Sequence, residues 1–137
     1  MAHWLLKTEP DEFSWHQLRA AGSCGETWDG IRNHQAAGFL RQMRKGEQVF
    51  IYHTGKERRV VGIGELVREA FPDAEDSTGR FVAVTVRAVE ALTKPVSLAD
   101  IKAEPALAAL MLLRQGRLSV VPVTVEEWGA ILRLARE

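Results

Sequence analysis

The sequence predicts an α+β domain, a small and mostly antiparallel β-barrel with short helices packed around it. Three observations carry that reading. About five runs have strand character, rich in Val, Ile, Phe and Tyr. The helical patterns between them are short and do not alternate with the strands, which argues against a parallel doubly wound sheet. Gly62 and Gly64 fall inside one strand, where they allow the bends that a closing sheet needs.

Taken in order, residues 3–7 (HWLLK) read as the first strand, and Pro10 stops it. Ser14 followed by Gln17 is a capping box, so a short helix starts near Trp15 and ends in the run Ala21-Gly22-Ser23-Cys24-Gly25. Thr27-Trp28-Asp29-Gly30-Ile31-Arg32-Asn33 reads as a turn on its Asp-Gly pair, with Asn33 placed to cap the next helix. That helix carries the stripe Ala36, Phe39, Leu40 and Met43. It collects Arg41, Arg44 and Lys45 at its end, where the dipole favours cations, and offers Gly46 as its C′ residue.

Residues 47–54 (EQVFIYHT) are apolar on both faces, as a central strand is. Residues 60–67 (VVGIGELV) and 81–89 (FVAVTVRAV) are the next strands, joined by a polar loop over 71–79, and Lys94-Pro95-Val96 breaks the second. Ser97 caps a short helix, Pro105 interrupts, and residues 106–113 are helix-prone. Residues 118–123 read as the last strand, with Pro122 confined to its end or to a sheet edge. Thr124 with Glu127 is a second capping box, and the closing helix has Trp128, Ile131 and Leu132 on its apolar stripe.

A chain of 137 residues is read as one domain over 1–137. With 46% apolar and 26% charged residues it has the usage of an ordinary globular core, without disulfides or metals. The 18 basic and 18 acidic side chains cancel, so no global field draws in nucleic acid and a local patch must do so. Cys24 is the single cysteine, which excludes an intrachain disulfide and fits a reducing cytosol. Its neighbours Ser23, Gly25 and Glu26 offer no base, so it reads as an inert thiol. The histidines His3, His16, His34 and His53 form no pair at metal-ligand spacing, so neither metal nor cofactor is expected. Gly62-Ile63-Gly64 lacks the third glycine and the helix of a phosphate loop, and neither Ser14 nor Ser119 stands in a nucleophile elbow. Without a basic leader or a run of membrane-spanning length, the chain is expected to be a soluble, cytoplasmic monomer with no membrane partner.

The stretch from Trp28 to Asn33 offers an aromatic face, a guanidinium and an amide side by side, which is what a pocket for a flat polar ligand needs. The same residues also fit a core tryptophan followed by ordinary turn chemistry, and both readings stay open. Two basic groups, Arg41, Arg44 and Lys45, then Lys56, Arg58 and Arg59, flank one strand. They are either solvated loop charge or a rim that contacts phosphate. Tyr52-His53 closes that strand, with Tyr52 suited to the core and His53 to a pocket mouth. Arg114-Gln115-Gly116-Arg117-Leu118-Ser119 is a further donor-rich stretch.

Five segments resemble, in order, the EVE domain family, a branch of the PUA-like superfamily related to YTH and ASCH domains. They are Trp4-Leu5-Leu6-Lys7-Thr8-Glu9-Pro10, Trp28-Asp29-Gly30-Ile31-Arg32-Asn33, Tyr52-His53, Val61-Gly62-Ile63-Gly64-Glu65, and Arg117-Leu118-Ser119-Val120 with Pro122-Val123. The resemblance covers nearly the whole chain. It implies a bent PUA-like barrel of five to six strands and a pocket for one flipped, modified base, such as methylated or hydroxymethylated cytosine in DNA, while related domains bind modified adenine in RNA. By position, it puts Trp28, Arg32 and Asn33 at the pocket mouth and brings Lys7, Ser14, Tyr52 and Ser119 in from adjoining strands and loops. The chain departs from the family pattern at His34, where tyrosine is commoner, at Ala37-Gly38, where Arg-Asn is, and at Gly116, where serine is.

The function so implied is a non-enzymatic reader of a modified base in DNA or RNA. Trp28 stacks, Asn33 and Ser14 read an edge, and phosphate is held by Arg32 and a rim of Arg41, Arg44, Lys45, Lys56, Arg58, Arg59, Arg114 and Arg117. The alternative is a small hydrolase of a modified nucleobase or nucleoside, as ASCH relatives resemble amidohydrolases. It requires Lys7, Thr8 and Glu65 to converge on one cavity. A third reading, an interaction module with Trp28 in its core, expects no concave polar site beside Trp28.

Overall fold

The computed structural model describes residues 2–136. Six strands form one sheet: β1 (His3–Thr8), β2 (Glu26–Trp28), β3 (Gln48–His53), β4 (Arg59–Pro72), β5 (Val82–Ser97) and β6 (Val120–Val123), in the spatial order β2-β5-β4-β3-β1-β6. Five short helices surround it: α1 (Trp15–Ala20), α2 (His34–Gln42), α3 (Leu98–Ala103), α4 (Met111–Arg114) and α5 (Val125–Arg136). None of these helices is long and apolar enough to cross a membrane.

The centre of the sheet is dictated by residues that are apolar on both faces. Trp4, Leu5 and Leu6 of β1 are buried in succession, and five of the six residues of β3 are buried. Successive side chains of a strand point to opposite faces. Leu5 and Phe50 therefore join one core, with Val121, Trp128 and Ile131. Trp4, Leu6, Val49 and Ile51 join the other, with Leu18, Trp28 and Leu40. The Phe50 and Trp128 rings stack at 3.7 Å between centroids, which docks α5 on the first core.

The small, mostly antiparallel β structure with short helices is what the sequence predicts, and every ladder but one is antiparallel. The exception is β1 with β3, which run parallel. The sheet order leaves β2 and β6 as its outer strands, and the sheet is not closed into a barrel. Register shifts in the β4–β5 ladder fall between Val60 and Gly62 and between Ile63 and Gly64, the glycines expected to bend the strand. The Trp15 ring lies flat where a side chain at position 62 would be, so that only glycine admits it.

Four helix starts follow their sequence signals. The Ser14–Gln17 box closes in both directions, at 3.3 and 2.7 Å. Asn33 Oδ1 accepts the Ala36 N–H at 2.9 Å, and Ser97 Oγ accepts that of Asp100 at 3.0 Å. Thr124 and Glu127 close the last box at 3.1 and 2.9 Å. Pro122 sits on the edge strand β6, opposite Trp4, where its missing N–H leaves no ladder bond unmade.

Other elements differ from expectation. Thr27 and Trp28, read as part of a turn, form β2 with Glu26 on the edge of β5, since three residues are too few to show a period. Lys94-Pro95 does not end β5. Val60 faces Val96 and Gly62 faces Ala91, so residues 92–95 bulge from the ladder and Pro95 needs no partner there. Phe71 and Pro72, assigned to a loop, are the last residues of β4. Helix α2 ends at Gln42 with Met43 as its cap, so Gly46, at φ 91°, serves the turn into β3 and not the helix end.

The contact of Gly62 with Trp15 is directly checkable. A Cβ at position 62 would lie 2.5 Å from the ring, so Gly62→Ala is expected to lower stability by about 1–3 kcal/mol in urea unfolding. Gly38→Ala, inside α2 with nothing within 4 Å, is expected to raise it by about 0.5–1 kcal/mol.

Candidate nucleic-acid interface

The β1–β3 register pairs Lys7 with Tyr52 and Thr8 with His53, so both strands end on the same side of the molecule. A cleft of about 460 Å³ opens there. Lys7 and Thr8 come from β1, Glu9, Glu12 and Phe13 from the loop after it, and Glu26, Thr27 and Trp28 from β2, with Asp29 and Ile31 beyond. That volume falls in the range of small-molecule sites.

Trp28 serves the core and the cleft together. It is 7% exposed, packs with Leu18 and Leu40, and meets the Phe13 ring edge-on at 5.7 Å and 87°. The two readings left open by the sequence are thus combined in one side chain. A concave polar site does lie beside Trp28, which the pure interaction module did not expect.

Lys7 lines the cleft and ties it to the loop before β6. Its Nζ donates to the Gly116 carbonyl at 2.8 Å and lies 5.9 Å from the Tyr52 ring centre. Burial pulls its pKa below the ordinary lysine value. Thr8 Oγ1 donates to the Phe13 carbonyl at 2.7 Å, which folds the Glu9–Phe13 loop back over the end of β1.

His53 is buried and does not line the cleft. Its Nε2 accepts the Trp15 N–H at 3.0 Å, and its Nδ1 lies 2.9 Å from the Glu57 carboxylate. A backbone N–H only donates, so Nδ1 carries the ring proton and donates to Glu57. That hydrogen bond leads the effects that hold Glu57 below the usual carboxylate range. His53 therefore ties the start of α1 to the loop after β3. Tyr52 is also buried, and burial raises its pKa. Ser119 meets Lys7 through the backbone, its carbonyl accepting the Lys7 N–H at 3.0 Å.

Ser14, Arg32 and Asn33 support the cleft and do not line it. The Ser14 and Asn33 side-chain oxygens are engaged as helix caps. Arg32 Nη1 donates to Asp73 Oδ2 at 2.9 Å, and its guanidinium lies 5.3 Å from the Phe81 ring centre. Gly30 N–H donates to the same Asp73 oxygen and Glu75 N–H to the other, both at 2.9 Å. The Arg32 hydrogen bond, followed by those two, keeps the Asp73 carboxyl below its usual range. Asp73 thus pins the loop that follows Trp28 to the β4–β5 turn. The Gly30 backbone, at φ 72°, turns toward it without strain. His34, one of the family departures, stacks on Phe81 at 5.0 Å beside this latch.

The hydrolase expectation is corrected by the register. Glu65 pairs across from Gln48, at the opposite end of β3 from Lys7 and about 13 Å away along the strand. It is engaged by Arg87 at 2.8 Å. Lys7, Thr8 and Glu65 do not converge. The carboxylates that share the cleft with Lys7 are Glu9, Glu12, Glu26 and Asp29, which the sequence reading did not single out.

The basic residues also divide. Lys56, Arg58 and Arg59 follow β3 at the cleft end, and the loop carrying Arg114 and Arg117 meets Lys7 through Gly116. Arg41, Arg44 and Lys45 precede β3 at its other end, roughly 20 Å away. There the Arg41 guanidinium bonds the Arg80 carbonyl and that of Arg44 bonds the Arg41 carbonyl. One strand length separates the two groups, so they form no single rim.

Comparison with known proteins gives a consistent picture. The model of the EVE domain family matches residues 2–134. Thymocyte nuclear protein 1 of Gallus gallus is 35% identical over 167 residues, an alignment covering 98% of this chain and 69% of that protein. Rpa0253 from Rhodopseudomonas palustris has a similar structure, with a TM-score of 0.94 at 46% identity, covering 99% of this chain and 94% of the other. Human THYN1 protein in complex with 5-methylcytosine-containing DNA has a TM-score of 0.93 at 30% identity, covering 100% of this chain and 99% of the other.

The Asp73 latch carries a pH signature. The lowered carboxyl contributes stability that is present above its ordinary value near 3.8 and is lost as pH falls through the native one. Asp73→Asn is expected to lower the urea midpoint at pH 7, and the gap from the unaltered protein is expected to narrow at pH 3. A gap that is the same at both pH values contradicts the latch.

Proposed function

The chain belongs to the EVE domain family, and from that premise we propose that it binds DNA and reads one modified base, a modified cytosine, in the cleft beside Trp28. The observation that carries this reading is the cleft itself. An apolar floor and walls of Trp28, Phe13 and Ile31 stand in one cavity with Lys7 and a set of carboxylates. The similarity to the human protein in complex with 5-methylcytosine-containing DNA supports the choice of ligand.

The polar groups suit cytosine. Its exocyclic amine donates where a carboxylate accepts, and its ring nitrogen and carbonyl accept where Lys7 donates. Thymine offers a carbonyl in place of the amine and leaves a carboxylate facing an acceptor. Discrimination against it should exceed that between cytosine and its 5-methyl form, because one buried methyl is worth about 0.8 kcal/mol, roughly fourfold. Stacking contributes about 1–3 kcal/mol and flipping from a duplex costs a few, so contacts to the backbone must supply the net affinity. Ser14, Arg32 and Asn33 act as positioning residues in this reading. No bond-breaking step is assigned to the cleft.

Fluorescence-anisotropy titrations with oligonucleotides differing at one central base test the reading. The expected order is 5-methylcytosine over cytosine by about fourfold and over thymine by tenfold or more. Matching RNA strands in the same series decide between the two polymers. Trp28→Phe, which keeps the core apolar, is expected to reduce these ratios. Equal affinity for all three bases in the unaltered protein overturns the reading.

A further inference from the structure

Two more hollows continue from the Trp28 cleft. The first, of about 200 Å³, shares Lys7 with the cleft and is walled by Tyr52, Arg58, Leu98 and Gly116. The second, of about 320 Å³, shares Arg58 and Leu98 with the first and adds Lys56, Ser97 and Lys102. Shared walls put the three in a row that passes from Trp28 by Lys7 and Arg58 to Lys102.

The charge reverses along that row. Around Trp28, Glu9, Glu12, Glu26 and Asp29 face Lys7 alone. At the far end Lys56, Arg58 and Lys102 face Glu57 alone. Glu57 is already engaged, since His53 and Arg59 approach the same carboxylate oxygen at 2.9 and 3.1 Å. The side chains of Lys56, Arg58 and Lys102 make no hydrogen bond or ion pair among the described residues. Arg58 also holds a left-handed backbone, φ 45°, alone in this among the described non-glycine residues. Its carbonyl accepts the Leu98 N–H at 2.8 Å, which ties the loop after β3 to the start of α3. Three unpaired cations are thus brought together from two distant segments, one of them at a backbone conformation that non-glycine residues rarely adopt.

We propose that this row is a track for the phosphates on one side of the read base, with Lys56, Arg58 and Lys102 as its contacts. The inference rests on the base-reading cleft and adds a direction to it. The bound strand leaves the Trp28 cleft past Lys7 and runs toward α3, away from Arg41, Arg44 and Lys45. Lys102 lies outside the rim anticipated from the sequence. The acidic cleft suits an uncharged base carrying an amine, and the unpaired cations beyond it suit the anionic backbone.

The test measures the binding of a single-stranded 12-mer with one central 5-methylcytosine at several KCl concentrations. It uses the unaltered protein, Lys56→Gln/Lys102→Gln and Arg41→Gln/Arg44→Gln. Each lost phosphate contact lowers the salt slope by about 0.7 on a single strand, so the first pair is expected to lower it by about 1.4 and weaken binding about tenfold. The second pair is expected to stay within twofold. 5-Methyl-2′-deoxycytidine, which has no phosphate, is expected to bind all three proteins equally. An unchanged slope for the first pair, or an equal loss for the second, overturns the track. Failure of the nucleoside to bind the unaltered protein overturns the base reading alone, and a lowered slope then still supports the track.

Discussion

Lys7 stands beside Tyr52, and Thr8 beside His53, because β1 and β3 run parallel at the centre of the sheet. A parallel pair cannot be joined by a hairpin and needs a crossover of a dozen residues or more. In this chain the crossover holds α1, β2 and α2. It covers one face of the sheet, pairs β2 with β5 at the far edge and returns along α2 to β3. Glu9, Glu12, Phe13, Trp28 and Ile31 all belong to it, so nearly every wall of the cleft comes from the segment that the parallel pair requires. Burial of both faces of β1 and β3 fixes the register, since a slip of one residue would exchange the two cores.

Much of this was legible from local signals. The capping residues Ser14, Asn33, Ser97 and Thr124 act over three residues, and each caps the helix expected of it. The central strands declare themselves through apolar residues on both faces. What stayed hidden depends on partners far along the chain. Asp73 lies 41 residues from Arg32, and no spacing rule links them. Without that link Arg32 looks like a free phosphate contact. Asn33 and Ser14 show a related ambiguity, because an oxygen that caps a helix and one that reads a base look the same in sequence. Glu65 sits in a family-like segment, yet only the β3–β4 register reveals that it lies at the wrong end of the strand.

Electrostatics follow the same division. A formal net charge of zero conceals a local division, with Glu9, Glu12, Glu26 and Asp29 around Trp28 and the unpaired Lys56, Arg58 and Lys102 beyond Lys7. Lys7 stands where the two meet, its ammonium partly desolvated and anchored on Gly116. Such an arrangement separates two tasks. In the proposed function, carboxylates and an aromatic floor would select a base by its donors, and the cations would hold the strand without regard to sequence.

The four tryptophans allow the central claim to be tested in one spectrum. Trp4, Trp15 and Trp128 are buried and do not line the cleft, and Trp28 alone among the four does. On titration of 15N-labelled protein with 5-methyl-2′-deoxycytidine, the indole N–H signal of Trp28 is expected to shift saturably while the other three hold still. Movement of all four together, or of none at millimolar nucleoside, contradicts a base-reading cleft beside Trp28.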